Sequence, residues 1–157
     1  MKILPLLLIF ILSNSGPPET NKKVVEYVDA VIGHKVGRGE CWDLASAALD
    51  HAGAYLDRSN QLNIYVFGKK LNPDKDKIYP GDILQFENVK MEYTVGDMIY
   101  TETMTHHTAI IYEMLKNNTY RIAHQNTNFS GRKVGLSELK MESITSGRIT
   151  FYRPFRK

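Results

Sequence analysis

Apolar positions in the first third of the chain repeat at intervals of three and four residues. The first such run consists of β-branched residues, which are Val24, Val25, Val28, Val31 and Ile32. This spacing places the side chains on one face of a helix, and Gly33 follows as a stop. The sequence therefore predicts a first helix that ends at Gly33.

A second helical pattern lies in residues 37–53, where alanine and leucine dominate after two glycines. The shared stripe at intervals of three, four and seven is Cys41, Leu44, Ala45, Ala48 and Ala52. Alanine and leucine are good helix formers, and Gly53 supplies the usual C-terminal stop. We predict a helix that begins near Glu40, with the Cys41 sulfur on the stripe that packs against the rest of the protein.

Beyond residue 80 the pattern changes to strand-like alternation and short apolar runs separated by turn residues. Strands are predicted over 83–87, 108–115, 120–126 and 148–153, and residues 89–100 form a β-rich patch that Gly96 and Asp97 divide. Residues 134–142 fit neither pattern. Helices followed by antiparallel strands predict an α+β fold in which N-terminal helices pack on a mostly antiparallel sheet.

Length and composition indicate one ordinary globular domain. The 157 residues are 43% hydrophobic and 24% charged, with a formal net charge of +3. This charge is too small to indicate a nucleic-acid partner, and we expect a monomer.

The chain begins with the pattern of a secretory signal peptide. A positive start at Met1-Lys2 is followed by an apolar run over 3–12 and small residues before Gly16. We predict a signal peptide over residues 1–15, a flexible leader over 16–21 and a single catalytic domain over 22–157. The expected location is secreted or periplasmic, without a stable membrane anchor, because the run is too short to span a bilayer. The alternative is a membrane-tethering N-terminal helix.

Cys41 is the sole cysteine of the chain. In the first turn of a helix, unpaired N–H groups and the helix dipole favour an anion, so the sequence predicts a lowered thiol pKa and a nucleophilic thiolate. The alternative is a buried structural cysteine. In an exported protein, an unpaired cysteine is either an intermolecular link or a working thiol.

A second polar cluster is predicted on the hairpin formed by strands 108–115 and 120–126. With a two-residue turn at Asn117-Asn118, Ala109 lies opposite Asn126 and Ile111 lies opposite His124. His107 and Asn126 are then diagonal neighbours. His106 is expected to face solvent. A cysteine nucleophile needs a base and a polar group that orients the base, and this hairpin supplies both.

Four segments in this order resemble papain-like cysteine hydrolases of the NlpC/P60 and CHAP type. They are Gly39-Glu40-Cys41-Trp42, Pro80-Gly81-Asp82-Ile83-Leu84-Gln85-Phe86, His107-Thr108-Ala109-Ile110-Ile111 and Ala123-His124-Gln125-Asn126. The resemblance implies a papain-like fold with Cys41 as nucleophile and His107 as base. For the third group it favours His124, whereas the simple hairpin register favours Asn126, so both are retained.

The resemblance also implies a function. Many members of this group cleave amide or peptide bonds, often in bacterial peptidoglycan, so we expect an exported cysteine hydrolase that acts on a peptide or amide without a cofactor. A catalytically inactive papain-like binding module is the alternative. A metal site formed by Cys41, His107 and His124 is disfavoured, because these residues lack a closely spaced ligand pair such as Cys-x-x-Cys.

Overall fold

The computed structural model describes residues 16–157, so the predicted signal peptide over 1–15 lies outside the described residues. The two helices are α1 (Glu19–Val31) and α2 (Cys41–His51). The strands are β1 (Lys69–Leu71), β2 (Ile83–Val95), β3 (Met98–Met114), β4 (Thr119–His124), β5 (Gly135–Lys140) and β6 (Ile144–Arg153). Within residues 16–157, no helix has the length and apolar character needed to cross a membrane.

The predicted flexible leader over residues 16–21 is wrong for its last three residues, which belong to α1. The helix begins directly after Pro18, and Glu19 lies in its first turn. Proline next to a helix start and an acidic first turn both suit this position, so the local signal is present in the sequence. Asn21 is fully buried, and its amide donates to Pro80 O and Asp82 Oδ1 at 3.0 and 2.8 Å. These contacts attach the start of α1 to the turn before β2.

All six strands form one sheet in the order β1-β6-β2-β3-β4-β5, and each neighbouring pair is antiparallel. The predicted break at Gly96-Asp97 is confirmed as the turn between β2 and β3. Residues 134–142, which fitted no pattern, contain edge strand β5. The predicted α+β class, with N-terminal helices on an antiparallel sheet, is therefore confirmed.

Apolar clusters lie on both faces of the sheet. On one face, both helices pack against Ile83, Ile110 and Ala123. The opposite cluster is formed by alternate strand residues, among them Leu84, Phe86, Ala109, Ile111, Ile122 and Phe151. Because successive strand residues point to opposite faces, β2, β3 and β4 each contribute to both clusters.

The hairpin between β3 and β4 has a different register from the one predicted. Met114 lies opposite Tyr120, which leaves one more residue in the turn than the two-residue loop allows. A further shift of one residue occurs between Ile111 and Glu113. Ile111 consequently pairs with Ile122 and not with His124. The two shifts together move His124 two positions along β3, towards His107.

The Gly81-Asp82 turn is held by a buried ion pair. The Asp82 side chain is fully buried and accepts hydrogen bonds from Arg153 Nε and Nη2 at 2.9 and 2.7 Å and from Tyr79 N at 2.9 Å. We expect Asp82→Asn to lower the free energy of unfolding by roughly 3 kcal/mol, because it leaves a largely buried guanidinium without its counter-charge. Urea unfolding measures this loss.

The control for that substitution is Glu87→Gln, which removes a solvent-exposed ion pair with Arg148. An exposed pair contributes little, so this change is expected to cost less than about 1 kcal/mol. Equal losses in the two variants would contradict a stabilising role for the buried pair.

Candidate active site

Cys41 is the first residue of α2, and the loop before it is tightly organised. Asp43 Oδ2 accepts hydrogen bonds from Arg38 N at 2.7 Å and from Glu40 N at 3.2 Å, which satisfies donors ahead of the helix. Gly39 has a φ of +89°, and a Cβ added there would lie 2.7 Å from the Arg132 Cβ. Glycine is thus required where the loop turns into the helix.

Gln125 connects the segment before Cys41 to the end of β4. Its side chain is fully buried, and its Nε2 donates to Glu40 O at 2.7 Å and to Val36 O at 2.9 Å. Its Oε1 accepts from Val36 N at 3.2 Å. Because Gln125 directly follows His124, these bonds fix the start of the cysteine helix relative to the histidine pair. Sequence reasoning missed this role, since the partners lie 89 and 85 residues away.

Three side chains from successive strands form a hydrogen-bonded chain. His107 Nε2 lies 2.9 Å from His124 Nδ1, and His124 Nε2 lies 2.8 Å from Ser137 Oγ. The two histidine rings are edge to face, with centroids 5.1 Å apart. Exposure is 7% for His107 and 1% for His124. Sequence reasoning missed Ser137, because β5 gave no clear strand pattern.

The order of protons along this chain determines whether His107 can act as a base. If His107 carries its proton on Nε2, it donates to His124 Nδ1, and His124 then donates from Nε2 to Ser137 Oγ. This order leaves a lone pair on His107 Nδ1, the nitrogen that does not face His124. When Nδ1 gains a proton, the Nε2–H still donates to His124, so the partner stabilises both protonation states.

The structure separates the roles of the predicted site residues. Cys41, His107 and Asn126 line one cleft of about 230 Å³, and His124 contacts His107 from the buried side. The Asn126 side chain donates to Glu40 Oε2 at 2.8 Å. His124, and not Asn126, is therefore the residue hydrogen-bonded to His107. Asn126 contacts the residue before the cysteine instead.

His106 is exposed, as predicted, and its ring packs edge to face on Tyr65 with centroids 4.3 Å apart. Within residues 16–157, no group of three His, Cys, Asp or Glu side chains is placed to hold a metal ion.

The pKa of the Cys41 thiol is raised above its ordinary value, so the predicted lowering is wrong. Burial is the largest cause, and the negative charge of Glu40 adds to it. Hydrogen bonds from Thr108 and from the Trp42 backbone favour the thiolate, but they do not outweigh desolvation. The helix start helps the anion, yet Cys41 also lies against the sheet, and this burial decides the direction.

His107 and His124, the two histidines of the hydrogen-bonded chain, are both held neutral. Burial, together with the smaller effect of the charge of the neighbouring His106, lowers the pKa of His107 to about 4. Burial and the charge of His107 lower the pKa of His124 to about 3. At neutral pH the resting site therefore contains a thiol and a neutral imidazole, so His107 is available to accept a proton.

The buried histidines should make folding stability depend on pH. Their folded-state pKa values lie below the ordinary value of about 6.5, so their contribution is fully present above pH 6.5 and is lost as the pH falls towards 4. We expect the free energy of unfolding to fall by about 2 to 4 kcal/mol between pH 7 and pH 5. Urea unfolding at both pH values measures it.

The matched variants for this prediction are His124→Leu, which should reduce the pH dependence, and His34→Asn, which replaces an exposed histidine and should not. A wild-type protein that is equally stable at pH 7 and pH 5 would contradict the neutral, buried state of the pair.

Comparison with known proteins identifies relatives of this chain. Residues 19–157 match a family described as the AIM3/BBC1 Cysteine proteinase-fold domain. Over 147 residues the chain is 31% identical to a Debaryomyces hansenii protein named Altered inheritance of mitochondria protein 3. The match covers 83% of this chain and 15% of that relative, so this chain corresponds to a small part of the relative's length.

The fold also resembles two crystal structures, one of Ly7917 and one of Ly7917 with the hydrolyzing product of MDP. The TM-scores are 0.51 and 0.50, and sequence identity is 18% in both cases. The likeness covers 84% and 85% of this chain and 62% of the Ly7917 chain. Together with the family match, it confirms the predicted papain-like α+β fold.

Proposed function

This chain belongs to the AIM3/BBC1 cysteine proteinase-fold domain family, and from that premise we propose that it is a cysteine hydrolase of amide or peptide bonds. Cys41 is the nucleophile, His107 is the general base and acid, and His124 orients His107. The observation that carries this proposal is the buried chain from His107 through His124 to Ser137, which borders the cleft that contains Cys41.

A buried pair of histidines with strongly shifted pKa values is costly for stability and typical of functional sites. The apolar clusters on both faces of the sheet already stabilise the fold without polar groups at these positions. The arrangement of nucleophile, base and orienting group matches the requirements of acyl transfer.

The reaction proceeds in two steps. His107 Nδ1 takes the thiol proton while the Cys41 sulfur attacks the carbonyl carbon, and the proton then passes to the leaving nitrogen as the C–N bond breaks. Water next attacks the thioester and gives its proton to His107, and the C–S bond breaks to return the thiol. Because the resting pair is neutral, proton transfer accompanies the attack.

The start of α2 supplies one donor for the oxyanion. The backbone N–H groups of the first helical turn lack helical partners, and the helix dipole favours negative charge at this end. The Cys41 N–H lies next to the attacked carbonyl in this scheme and stabilises the oxyanion as it develops.

The more specific expectations concern substrate and location. Export rests on the predicted signal peptide over residues 1–15, and relation to the NlpC/P60 and CHAP type rests on the four sequence segments. Peptidoglycan as substrate is supported by likeness in fold to Ly7917, one structure of which contains the hydrolyzing product of MDP. The yeast relative's name specifies no substrate. Parallel assays on peptidoglycan fragments and on general peptides distinguish the two substrate classes.

Acyl-enzyme formation tests the proposed chemistry directly. Mixing the protein with p-nitrophenyl acetate should release a burst of nitrophenolate and place one acetyl group on Cys41, as read by peptide mass mapping. The thioester should then hydrolyse. An unmodified Cys41 and no burst would indicate instead a papain-like binding module without chemistry.

The orienting role of His124 can be tested with two substitutions. Asparagine places an acceptor near the position of the imidazole Nδ1, whereas leucine cannot accept a hydrogen bond. We expect His124→Leu to lower kcat of ester hydrolysis by roughly 10- to 100-fold and His124→Asn to retain more of it, because the correct His107 tautomer depends on that acceptor. Equal losses in both variants would contradict orientation through this hydrogen bond.

A further inference from the structure

A larger cavity of about 520 Å³ lies beside the catalytic cleft. We call it the side cavity; it lies between the β2–β3 hairpin and the segment around β5. Its apolar lining includes Met91, Met104, Ile122, Phe129 and Leu139. A single large apolar side chain could be buried in a space of this size and character.

The side cavity adjoins the cleft that contains the proposed nucleophile. Glu102, Met104 and Asn128 line both spaces. Cys41 and His107 line the cleft but not the side cavity, so a substrate held at Cys41 could extend into the side cavity through this shared boundary.

The position of the side cavity relative to the imidazole indicates which half of the substrate it accepts. Ser137, which hydrogen-bonds His124, lines this cavity, and the Phe129 ring lies 5.3 Å from the His124 ring. The cavity therefore borders the group behind His107. Since His107 must reach the leaving nitrogen to protonate it, the leaving half of an amide extends past the imidazole on this side.

We infer that the side cavity binds the amine half of the amide substrate, and that this half carries a bulky apolar side chain. This inference rests on the proposed hydrolysis at Cys41 and names the substrate class of that site.

Glu102 adds a charge preference at the boundary between cleft and cavity. Its side chain is half-buried, and no lysine, arginine or histidine among residues 16–157 forms an ion pair with it. After the C–N bond breaks, the amine that received its proton from His107 takes a second proton from water and becomes an ammonium ion. A carboxylate at the boundary attracts this product, so the released amine should bind as a cation.

Binding of a product analogue to Cys41→Ala protein tests the inference without any turnover. The probe is phenylalaninamide, which has an apolar side chain and an ammonium group. Titration is followed by the methyl NMR signals of Met91 and Met104, which line the cavity, with Met98 at the exposed hairpin tip as the internal reference. We expect saturable shifts at the two cavity methionines only.

Two further ligands separate the apolar and charged contributions. Glycinamide keeps the ammonium but lacks the side chain, and it should bind at least about 10-fold more weakly than phenylalaninamide. N-acetylphenylalaninamide keeps the side chain but lacks the charge, and its affinity should be roughly 5-fold lower than that of phenylalaninamide. Equal binding of glycinamide and phenylalaninamide, or shifts confined to Met98, would overturn the inference.

Matched carboxylate variants test the charge preference. Glu102→Gln should weaken the binding of phenylalaninamide by roughly 5-fold and leave the binding of N-acetylphenylalaninamide unchanged. Glu92→Gln, on the same hairpin but outside the cavity lining, should change neither. Identical effects of the two substitutions would overturn the role of Glu102.

The binding experiment tests the side cavity and the acylation experiment tests hydrolysis at Cys41, so either proposal can be overturned without the other. Acylation of Cys41 without phenylalaninamide binding overturns the assignment of the side cavity but leaves the hydrolase proposal intact. Specific phenylalaninamide binding without acylation supports the cavity as an amine site and overturns hydrolysis at Cys41.

Discussion

Cys41→Ala protein is expected to lose ester and amide hydrolysis by a factor on the order of 10⁴ or more while it keeps the wild-type fold. The sulfur forms the covalent intermediate in the proposed reaction, and no other cysteine is present in the chain to replace it. Steady-state hydrolysis measures the loss, and thermal unfolding with circular dichroism measures the fold.

Serine at the same position is the matched variant. Cys41→Ser keeps a side chain of similar size, but a hydroxyl is much harder to deprotonate than a thiol, so a neutral His107 should not activate it. We expect both variants to fold like the wild type and both to be inactive. Retained activity in Cys41→Ala would contradict the assignment of the nucleophile.

His107→Ala is expected to lower kcat/KM at neutral pH by a factor on the order of 10³, with a loss that shrinks as the pH rises. The Cys41 pKa is raised by burial, so very little thiolate exists at pH 7 unless a base removes the proton. Activity in this variant should recover partly as the pH rises, since hydroxide then supplies the thiolate that His107 normally generates.

The double variant provides the control for joint action. If the thiol and the imidazole act as one unit, Cys41→Ala/His107→Ala should be no less active than Cys41→Ala alone. Additive losses would indicate that His107 affects activity by another route, for instance through folding.

Local sequence patterns were sufficient to select Cys41 and His107, which line one cleft in the structure. Cys41 follows from the alanine-rich helix pattern and the two preceding glycines, and His107 follows from the start of a strongly apolar strand. Both depend on features within a few residues of the site. The signal for the start of α1 is also local, because Pro18 and Glu19 suit a helix start, and the leader predicted over residues 16–21 does not take it into account.

The identity of the residue that hydrogen-bonds His107 depends on strand register, which the sequence does not specify. A simple two-residue turn placed Asn126 near His107, and the longer turn with a shift between Ile111 and Glu113 brought His124 there instead. An extra residue in one strand changes every subsequent pairing, and nothing local to Tyr112 signals it.

Long-range contacts and burial account for the features of the site that the sequence did not predict. Gln125 reaches residues more than 80 positions away, and Ser137 joins the site through a strand with weak alternation. The direction of the Cys41 pKa shift depends on how deeply α2 packs against the sheet, which a helix-start argument does not include.

The central claim is that His107 activates the Cys41 thiol, and the pH dependence of Cys41 alkylation by iodoacetamide tests it most directly. Wild-type protein should show a rate plateau across neutral pH that falls only as His107 is protonated, near its pKa of about 4. In His107→Ala the rate should instead rise steadily towards the raised thiol pKa, and at pH 6 it should be slower by roughly 100-fold. Superimposable profiles for the two proteins would show that Cys41 is an inert buried thiol and would contradict the proposed enzyme.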